Sequence, residues 1–499
     1  MRRLDPLPEK RKPALPPALI FAGSGGVEAW TEAGVEIAHG PDEARRLLAG
    51  LKGCQVFSAS KLNVVARAVD ARHITGTIWR KHLIGLKVDG GPKVVGTRGI
   101  LGTVRDKADA FADLLVAESF CRAHRVHLGS PGWTSEQFLR STLRTSLRLG
   151  SPTGKRGVMG GRKDCPDAKP SEPMIRGEGF YVDLHAAYPA AMVASPLPLR
   201  LVPASSRGID APVGIARARV TIPESMERWP PIPGLMPAGL WWQTGEIEGW
   251  WPLCELRLAR TMGCPVEIDA VYEGRGYDQP FGPWMALMVE GRQLPGAAGR
   301  WMKAISNALW GSFSMEGEVW EVRFADQYGT RIGEIVRRRG SPPPDGGFLA
   351  GEVSARVRVR LFDELILPFD PWYVDTDGGV IRAGAGLPEP LGANAGEWSV
   401  RHWMKRFEAR GAQAYRWTDH QDVTRAVIAG VPDATAADFD RYAPEGIQAW
   451  RVKRWEPGLL DEHGDPVPVF RRSSYAALPE GWTVRDPDAP LVASCSVTG

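Results

Sequence analysis

Asp375 and Asp377 end the stretch Trp372-Tyr373-Val374-Asp375-Thr376-Asp377-Gly378-Gly379, and two carboxylates so spaced can share a divalent cation. Trp372, Val374 and Thr376 alternate with Tyr373, Asp375 and Asp377, the pattern of a β-strand with the second set on one face. Gly378 and Gly379 are expected to supply the positive φ of a hairpin turn. Taken alone, the same spacing also suits a solvated turn. It does not suit an EF-hand calcium loop, whose sixth and twelfth positions want Gly and Glu and here hold Val380 and Gly386.

A further carboxylate stands upstream in a matching context. In Gly179-Phe180-Tyr181-Val182-Asp183-Leu184, the residues Phe180, Val182 and Leu184 alternate with Tyr181 and Asp183, and the strand runs into His185-Ala186-Ala187-Tyr188-Pro189. Between the two strands, Lys303, Asn307 and Gly311 recur at helical spacing and line one face. Met302, Ile305 and Leu309 fall on the opposite, buried face.

In this order the three stretches resemble motifs A, B and C of the family B DNA polymerases, whose patterns are Asp-x-x-Ser-Leu-Tyr-Pro-Ser, Lys-x-x-x-Asn-Ser-x-Tyr-Gly and Tyr-x-Asp-Thr-Asp-Ser. The chain keeps Asp183, Tyr188 and Pro189 of the first, Lys303, Asn307 and Gly311 of the second, and Tyr373, Asp375, Thr376 and Asp377 of the third. It departs at Ala187, Ala190, Ala308, Trp310 and Gly378, none of which removes a charged group. The resemblance implies a multidomain α/β and α+β right hand of palm, fingers and thumb, behind an N-terminal RNase H-like exonuclease-type domain. It implies template-primer DNA and dNTPs as ligands, and two Mg²⁺ ions, with Mn²⁺ as a substitute. Asp183 and Asp377 would be direct metal ligands and Asp375 a ligand or its support. Lys303 would hold the triphosphate, with Arg300 and Arg292 weaker candidates for the same task. Asn307 and Gly311 would leave room for the base pair, and Tyr188 would exclude a ribose 2′-hydroxyl.

Length, composition and charge are compatible with that class. A chain of 499 residues that is 43% hydrophobic has material for several cores. A net charge of +4 is too small for a global field, so any nucleic-acid surface is local. The six cysteines form no C-x-x-C pair, which argues against zinc and a disulfide framework. No signal peptide, membrane span or internal repeat is evident, and a cytoplasmic location in a bacterial or phage-infected host cell is expected.

The positioning elements divide as follows. Residues 1–16 are expected to be disordered and 17–148 to form the exonuclease-like domain, with strands at 18–22 and 55–57 and helices at 41–51 and 106–125. Its acids look lost: Ala22, Ser24 and Asn63 stand where the protein-primed members carry carboxylates, and Asp113 alone remains as a remnant. An unrelated α/β domain is the alternative. Residues 149–178 read as a linker, in which Gly160, Gly161 and Arg162 resemble the family's Tyr-x-Gly-Gly and would approach template phosphates. A plain flexible linker is the other reading. The palm is expected at 179–195 and 349–445, fingers at 286–315, and a small thumb and tail at 446–499. Tyr415 sits where a Lys-x-Tyr supports the primer strand, without its lysine, and Tyr373 and Thr376 are expected at the DNA as well. A Trp-rich insert at 196–285 and a hairpin segment at 316–348 match, by position and length, the two insertions of the protein-primed phage-type branch, so a terminal protein primer is a further implied partner. Tryptophan there suits a core or a base-stacking surface. Three rivals stay open: a non-catalytic nucleic-acid-binding relative, a metal-dependent nuclease, and a DNA-primed gap-filling polymerase.

Overall fold

The computed structural model describes most of the chain between 2 and 474; residues 9–14, 59–64, 97–105, 150–158, 314–318, 340–346, 429–433, 441–447, 461–465 and 475–499, with shorter breaks, lie outside the described residues. The chain divides into two compact units. One holds Met1–Gly154, Asp278–Gly347 and Val452–Val469, the other Lys155–Tyr277, Phe348–Arg451 and Phe470–Gly499.

In the first unit, Pro17–Gly23 lies parallel to Gln55–Ser58, which lies parallel to Lys93–Gly96. On the other side Gly26–Thr31 is antiparallel to Pro17–Gly23, and Gly34–Ala38 is antiparallel to Gly26–Thr31. This is the RNase H-like strand order. Its core is a run of small and branched side chains: Ala18, Ile20, Val27, Ala29, Val56 and Val94, covered by Ala44 and Leu48 of the helix Pro41–Gly50. The long helix Lys107–Ala123 starts at Asp106, whose carboxylate accepts from the N–H groups of Ala108 and Asp109. The expected disordered start is tied down: Leu7 N–H donates to the Arg140 carbonyl at 3.1 Å, and Arg140 Nε donates to the Asp5 carbonyl at 2.7 Å. Arg2–Leu4 pairs antiparallel with Leu147–Leu149, and Leu4 is buried.

The hairpin segment is not a free-standing arm. Val319–Gln327 and Thr330–Arg339 pair with each other, and Val319–Gln327 also pairs with Ile74–Trp79, so the hairpin extends the sheet of the N-terminal domain. The helices Phe281–Arg292 and Gly296–Phe313, expected as fingers, belong to the same compact unit. Nothing local in the sequence announces this grouping, because strand pairing between 74–79 and 319–324 is a long-range event. The described part of the expected thumb, Gln448–Leu460 and Pro466–Ser474, is a two-stranded sheet.

The second unit is built on a sheet in the order Arg162–Asp164, Tyr373–Thr376, Gly378–Arg382, Gly179–Leu184, Trp398–Gly411, Ala414–Asp419, Thr424–Ile428, with Met174–Arg176 also paired to Trp398–Gly411. Alternation along the strands gives it two faces. One carries Val182, Leu184, Val374 and Ile381, packed with Val357, Leu361, Phe362 and Leu365 from the helix Gly347–Leu361 and the turn after it. The other carries Tyr373, Val380, Met404, Phe407, Tyr415 and Trp417. Two parts of the expected linker are therefore strands of this sheet. The Trp-rich insert forms a separate four-stranded sheet, Leu197–Pro203, Val266–Asp278, Gly214–Ile222 and Gly245–Pro252 in that spatial order, with the helix Leu253–Thr261 beside it. Trp251 is fully buried and donates to the Pro233 carbonyl at 2.8 Å, which makes it core. Arg358 of the helix Gly347–Leu361 makes a buried fork on Glu255 at 2.8 and 3.0 Å. Removing either partner would strand a buried charge, at about 3–5 kcal/mol.

Candidate active site

Asp183 is held by register. Gly179–Leu184 pairs with Gly378–Arg382, Asp183 opposite Gly378, while its other edge pairs with Trp398–Gly411. Asp375 lies near the end of Tyr373–Thr376, and Asp377 occupies the turn to Gly378–Arg382. The turn differs from the sequence expectation. Thr376, not a glycine, takes the left-handed conformation, at φ +63, and neither Gly378 nor Gly379 has a positive φ. A β-branched residue there costs on the order of 1–3 kcal/mol. Local bonds offset it: Thr376 Oγ1 donates to Asp375 Oδ1 at 2.9 Å, Asp377 N–H to the Asp375 carbonyl at 2.7 Å, and Leu184 N–H to the Asp377 carbonyl at 2.9 Å. The two glycines serve close approach instead. A Cβ on Gly378 would stand 2.4 Å from the Val182 carbonyl oxygen, and one on Gly379 2.4 Å from that of Tyr373.

The three carboxylates act electrostatically on one phenol. Burial pushes the Tyr181 hydroxyl well above its ordinary pKa, and Tyr415, Asp375, Asp183 and Asp377 push it further. Tyr188, half-buried on the helix Ala187–Val193, is pushed up to about 12, first by burial and then by Asp377, with Arg358 acting against and Asp375 adding to the rise. Each outer carboxylate has its own cation. Arg401 donates to Asp183 Oδ2 from Nε at 2.9 Å and Nη2 at 2.7 Å, and Lys163 Nζ lies 3.5 Å from Asp375 Oδ1. Tyr373 donates to Asp375 Oδ2 at 3.1 Å. With the side chains so turned, no three acids among the described residues are gathered around one point. The donor chemistry nevertheless fits a hard divalent ion: carboxylate oxygens on the two strands that flank Gly378–Arg382, balanced by positive charge, with Arg401 half-exposed. Arg401 and Lys163 belong to no motif, and sequence reading missed both; only their strand register brings them to the acids.

Four expected DNA contacts are engaged within the protein. Arg162 is 2% exposed. It donates to the Pro230 carbonyl at 2.7 Å and to Asp164 at 2.9 Å, and its guanidinium lies 4.9 and 5.0 Å from the ring centroids of Trp229 and Trp242. Burial lowers its pKa to about 10, with Asp164 acting against the shift. It is an internal clamp, not a phosphate contact. Tyr415 is buried against Tyr373 at 4.8 Å and bonds to Tyr181, so it supports the site from within the core. Tyr373 is fully buried and orients Asp375 instead of meeting DNA. Thr376 is half-buried and is spent on the turn. Gly161 packs on Thr376, where a Cβ would meet Thr376 Cγ2 at 2.7 Å. Gly160, Ser24 and Asn63 lie outside the described residues; Ala22 is half-buried on Pro17–Gly23.

On Gly296–Phe313, Arg300, Lys303 and Asn307 are exposed while Met302, Ile305 and Leu309 are buried. Asn307 Oδ1 accepts from Arg292 Nη2 at 3.1 Å. A Cβ on Gly311 would meet nothing within 4 Å, so the packing of this unit does not itself demand glycine there.

Comparison with known proteins adds the following. Residues 155–338 match the family model described as DNA polymerase type B, organellar and viral. The fold is similar to Phi29 DNA polymerase in a ternary complex with primer-template DNA and incoming nucleotides, at 14% identity and TM-score 0.65, over 88% of this chain and 96% of that one. It is similar to Phi29 DNA polymerase with primer-template DNA alone at 14% identity and TM-score 0.62, over 87% and 96%. A third similar structure holds single-stranded DNA, at 13% identity and TM-score 0.61, over 88% and 96%. No curated protein matches the sequence.

Proposed function

We propose that this chain, which matches the model of the organellar and viral type B DNA polymerases over residues 155–338, is a DNA polymerase that extends a primer 3′-hydroxyl on a DNA template by metal-assisted phosphoryl transfer. The observation that carries this reading is the register that sets Asp183 and Asp375 opposite Gly378 from its two sides, with Asp377 in the adjoining turn. Asp183 and Asp377 would hold Mg²⁺, with Asp375 adjacent and fixed by Tyr373 and Thr376. Ions bound there would acidify the primer hydroxyl and neutralise the triphosphate and the leaving pyrophosphate. For Asp183 to hold a metal ion, Arg401 would have to give up its fork on Oδ2. Lys303 grips the triphosphate, with Arg300 beside it, and Asn307 and Gly311 leave space for the nascent pair. Phi29 DNA polymerase structures hold primer-template DNA and incoming nucleotides, the ligands proposed here.

A primed template with dNTPs and Mg²⁺ is the direct test. Extension is expected. Binding without extension would leave a non-catalytic relative, and degradation would leave a nuclease. In the same assay without dNTPs, labelled single-stranded DNA is expected to stay intact, because Ala22, Ser24 and Asn63 offer no carboxylates for proofreading. Shortening that Asp113→Ala abolishes would overturn that expectation.

Tyr188 sets the sugar. Its hydroxyl feels the charge of Asp377 and Asp375, and its place in the first motif is that of a sugar-selecting ring, so Tyr188→Ala is expected to raise ribonucleotide incorporation relative to dNTPs by roughly tenfold or more. Parental discrimination by the variant would leave Tyr188 a packing residue.

Priming from a protein hydroxyl and strand-displacing synthesis rest on the insert at 196–285 and the hairpin, which resemble in position and length the insertions of the protein-primed branch. A covalent protein–dNMP adduct with a gene product encoded nearby is the expected result. Its absence, with normal extension of DNA primers, would identify a gap-filling enzyme.

A further inference from the structure

The helix that carries Lys303, Asn307 and Gly311 begins without a cap of its own. Its first turn, Gly296-Ala297-Ala298-Gly299, has no side-chain oxygen and no acidic residue. The first four N–H groups of a helix have no intrahelical acceptors, and a side-chain oxygen ordinarily satisfies one of them. Here the oxygen comes from another helix. Ala297 N–H donates to Asp113 Oδ2 at 2.6 Å, and Asp113 lies on Lys107–Ala123 of the N-terminal domain. Gly296, at φ +59, makes the approach possible: a Cβ there would stand 2.3 Å from Asp113 Oδ1 and 2.6 Å from Oδ2.

Packing runs the same way. Trp301 is buried and meets Phe57 edge-on at 5.4 Å. A Cβ on Gly291 would meet Met302 at 2.6 Å and Phe120 at 3.1 Å, so the two helices and Lys107–Ala123 are in close contact there. Arg300 and Lys303 place two cations within about two turns of the positive end of the helix dipole, and Asp113 is the negative charge that offsets them.

We propose that Asp113 is a positioning residue for nucleotide binding: the N-terminal domain caps the fingers helix in trans and so fixes the register at which Lys303 and Asn307 meet the incoming dNTP. The cap itself stands on geometry alone, while its consequence for nucleotides rests on the polymerase reading above. The carboxylate read from the sequence as a nuclease remnant thus serves the helix.

The test uses the full chain, with KM for dNTP, kcat, and amide exchange at Ala297 and Ala298 as readouts. Asp113→Ala is expected to raise KM roughly fivefold, the loss typical of a removed cap, with kcat within about twofold and with lost protection of the first turn. Asp113→Asn keeps an accepting oxygen and is expected to restore both. Gly296→Ala, which crowds the same carboxylate, is expected to raise KM like Asp113→Ala, and decides the matter if that variant does not fold. Parental KM and protection in Asp113→Ala and Gly296→Ala would overturn the proposal. So would an Asp113→Asn chain as impaired as the alanine variant. A parent chain that adds no nucleotide would instead overturn the polymerase reading, and the exchange data would still decide the cap.

Discussion

Asp377→Asn is expected to lower single-nucleotide incorporation on the order of a thousandfold while DNA binding persists, because it removes charge that metal ions and the transition state both need. The substitution is nearly isosteric. The backbone links that define the turn, Asp377 N–H to the Asp375 carbonyl and Leu184 N–H to the Asp377 carbonyl, survive it. Loss of rate is then a loss of charge, not of shape. Asp375→Asn and Asp183→Asn are expected to cost as much, but by different routes. The first weakens acceptance from Tyr373 and Thr376, and the second also releases the Arg401 fork. Single-turnover extension and equilibrium DNA binding, measured on the same preparations, separate these effects. Parental extension by Asp183→Asn would sink the assignment of that strand as the first carboxylate motif.

How far the sequence could go is visible in particular residues. Alternation in Phe180-Tyr181-Val182-Asp183-Leu184 and in 372–376 was enough to place strands, because a half-buried strand writes its faces into the chain. The helix Gly296–Phe313 was legible for the same reason, with Met302, Ile305 and Leu309 inside and Lys303 and Asn307 outside. What it could not place was what a distant partner decides. Arg162 looked like a phosphate contact until Trp229, Trp242 and Pro230 closed around it. Tyr415 looked like a primer contact, but Tyr373 and Phe407 bury it. The glycines after Asp377 looked like a turn, although the turn falls one residue earlier and Thr376 bears it. Arg401 has no signature at all, and reaches Asp183 only because Trp398–Gly411 runs beside Gly179–Leu184. Register is long-range information, and period-two alternation does not contain it.

That gap yields the second large expected effect, at Gly378. Family B polymerases carry serine after the second aspartate of the motif that 373–377 resemble, so Gly378→Ser would move the chain towards that pattern. The structure argues that it is damaging. Gly378 lies opposite Asp183, and a Cβ there would stand 2.4 Å from the Val182 carbonyl oxygen, 3.1 Å from Asp183 Cα and 3.3 Å from Asp183 Cβ. The first two are backbone atoms with no rotamer to escape into, so Gly179–Leu184 must move away from Gly378–Arg382. Asp183 would move with it, relative to Asp377 and Asp375. Displacing a reacting group by about 1 Å costs on the order of a hundredfold in rate, and crowding a packed pair of strands costs about 1–3 kcal/mol in stability. We expect Gly378→Ser to lose on the order of a hundredfold in incorporation while remaining folded and DNA-bound. Gly282→Ser, on the helix Phe281–Arg292 where a Cβ meets nothing within 4 Å, is the matched control and is expected to behave as the parent. Parental rates in Gly378→Ser would show that the strands part without disturbing Asp183, and that the close approach at this glycine does not set the geometry of the carboxylates.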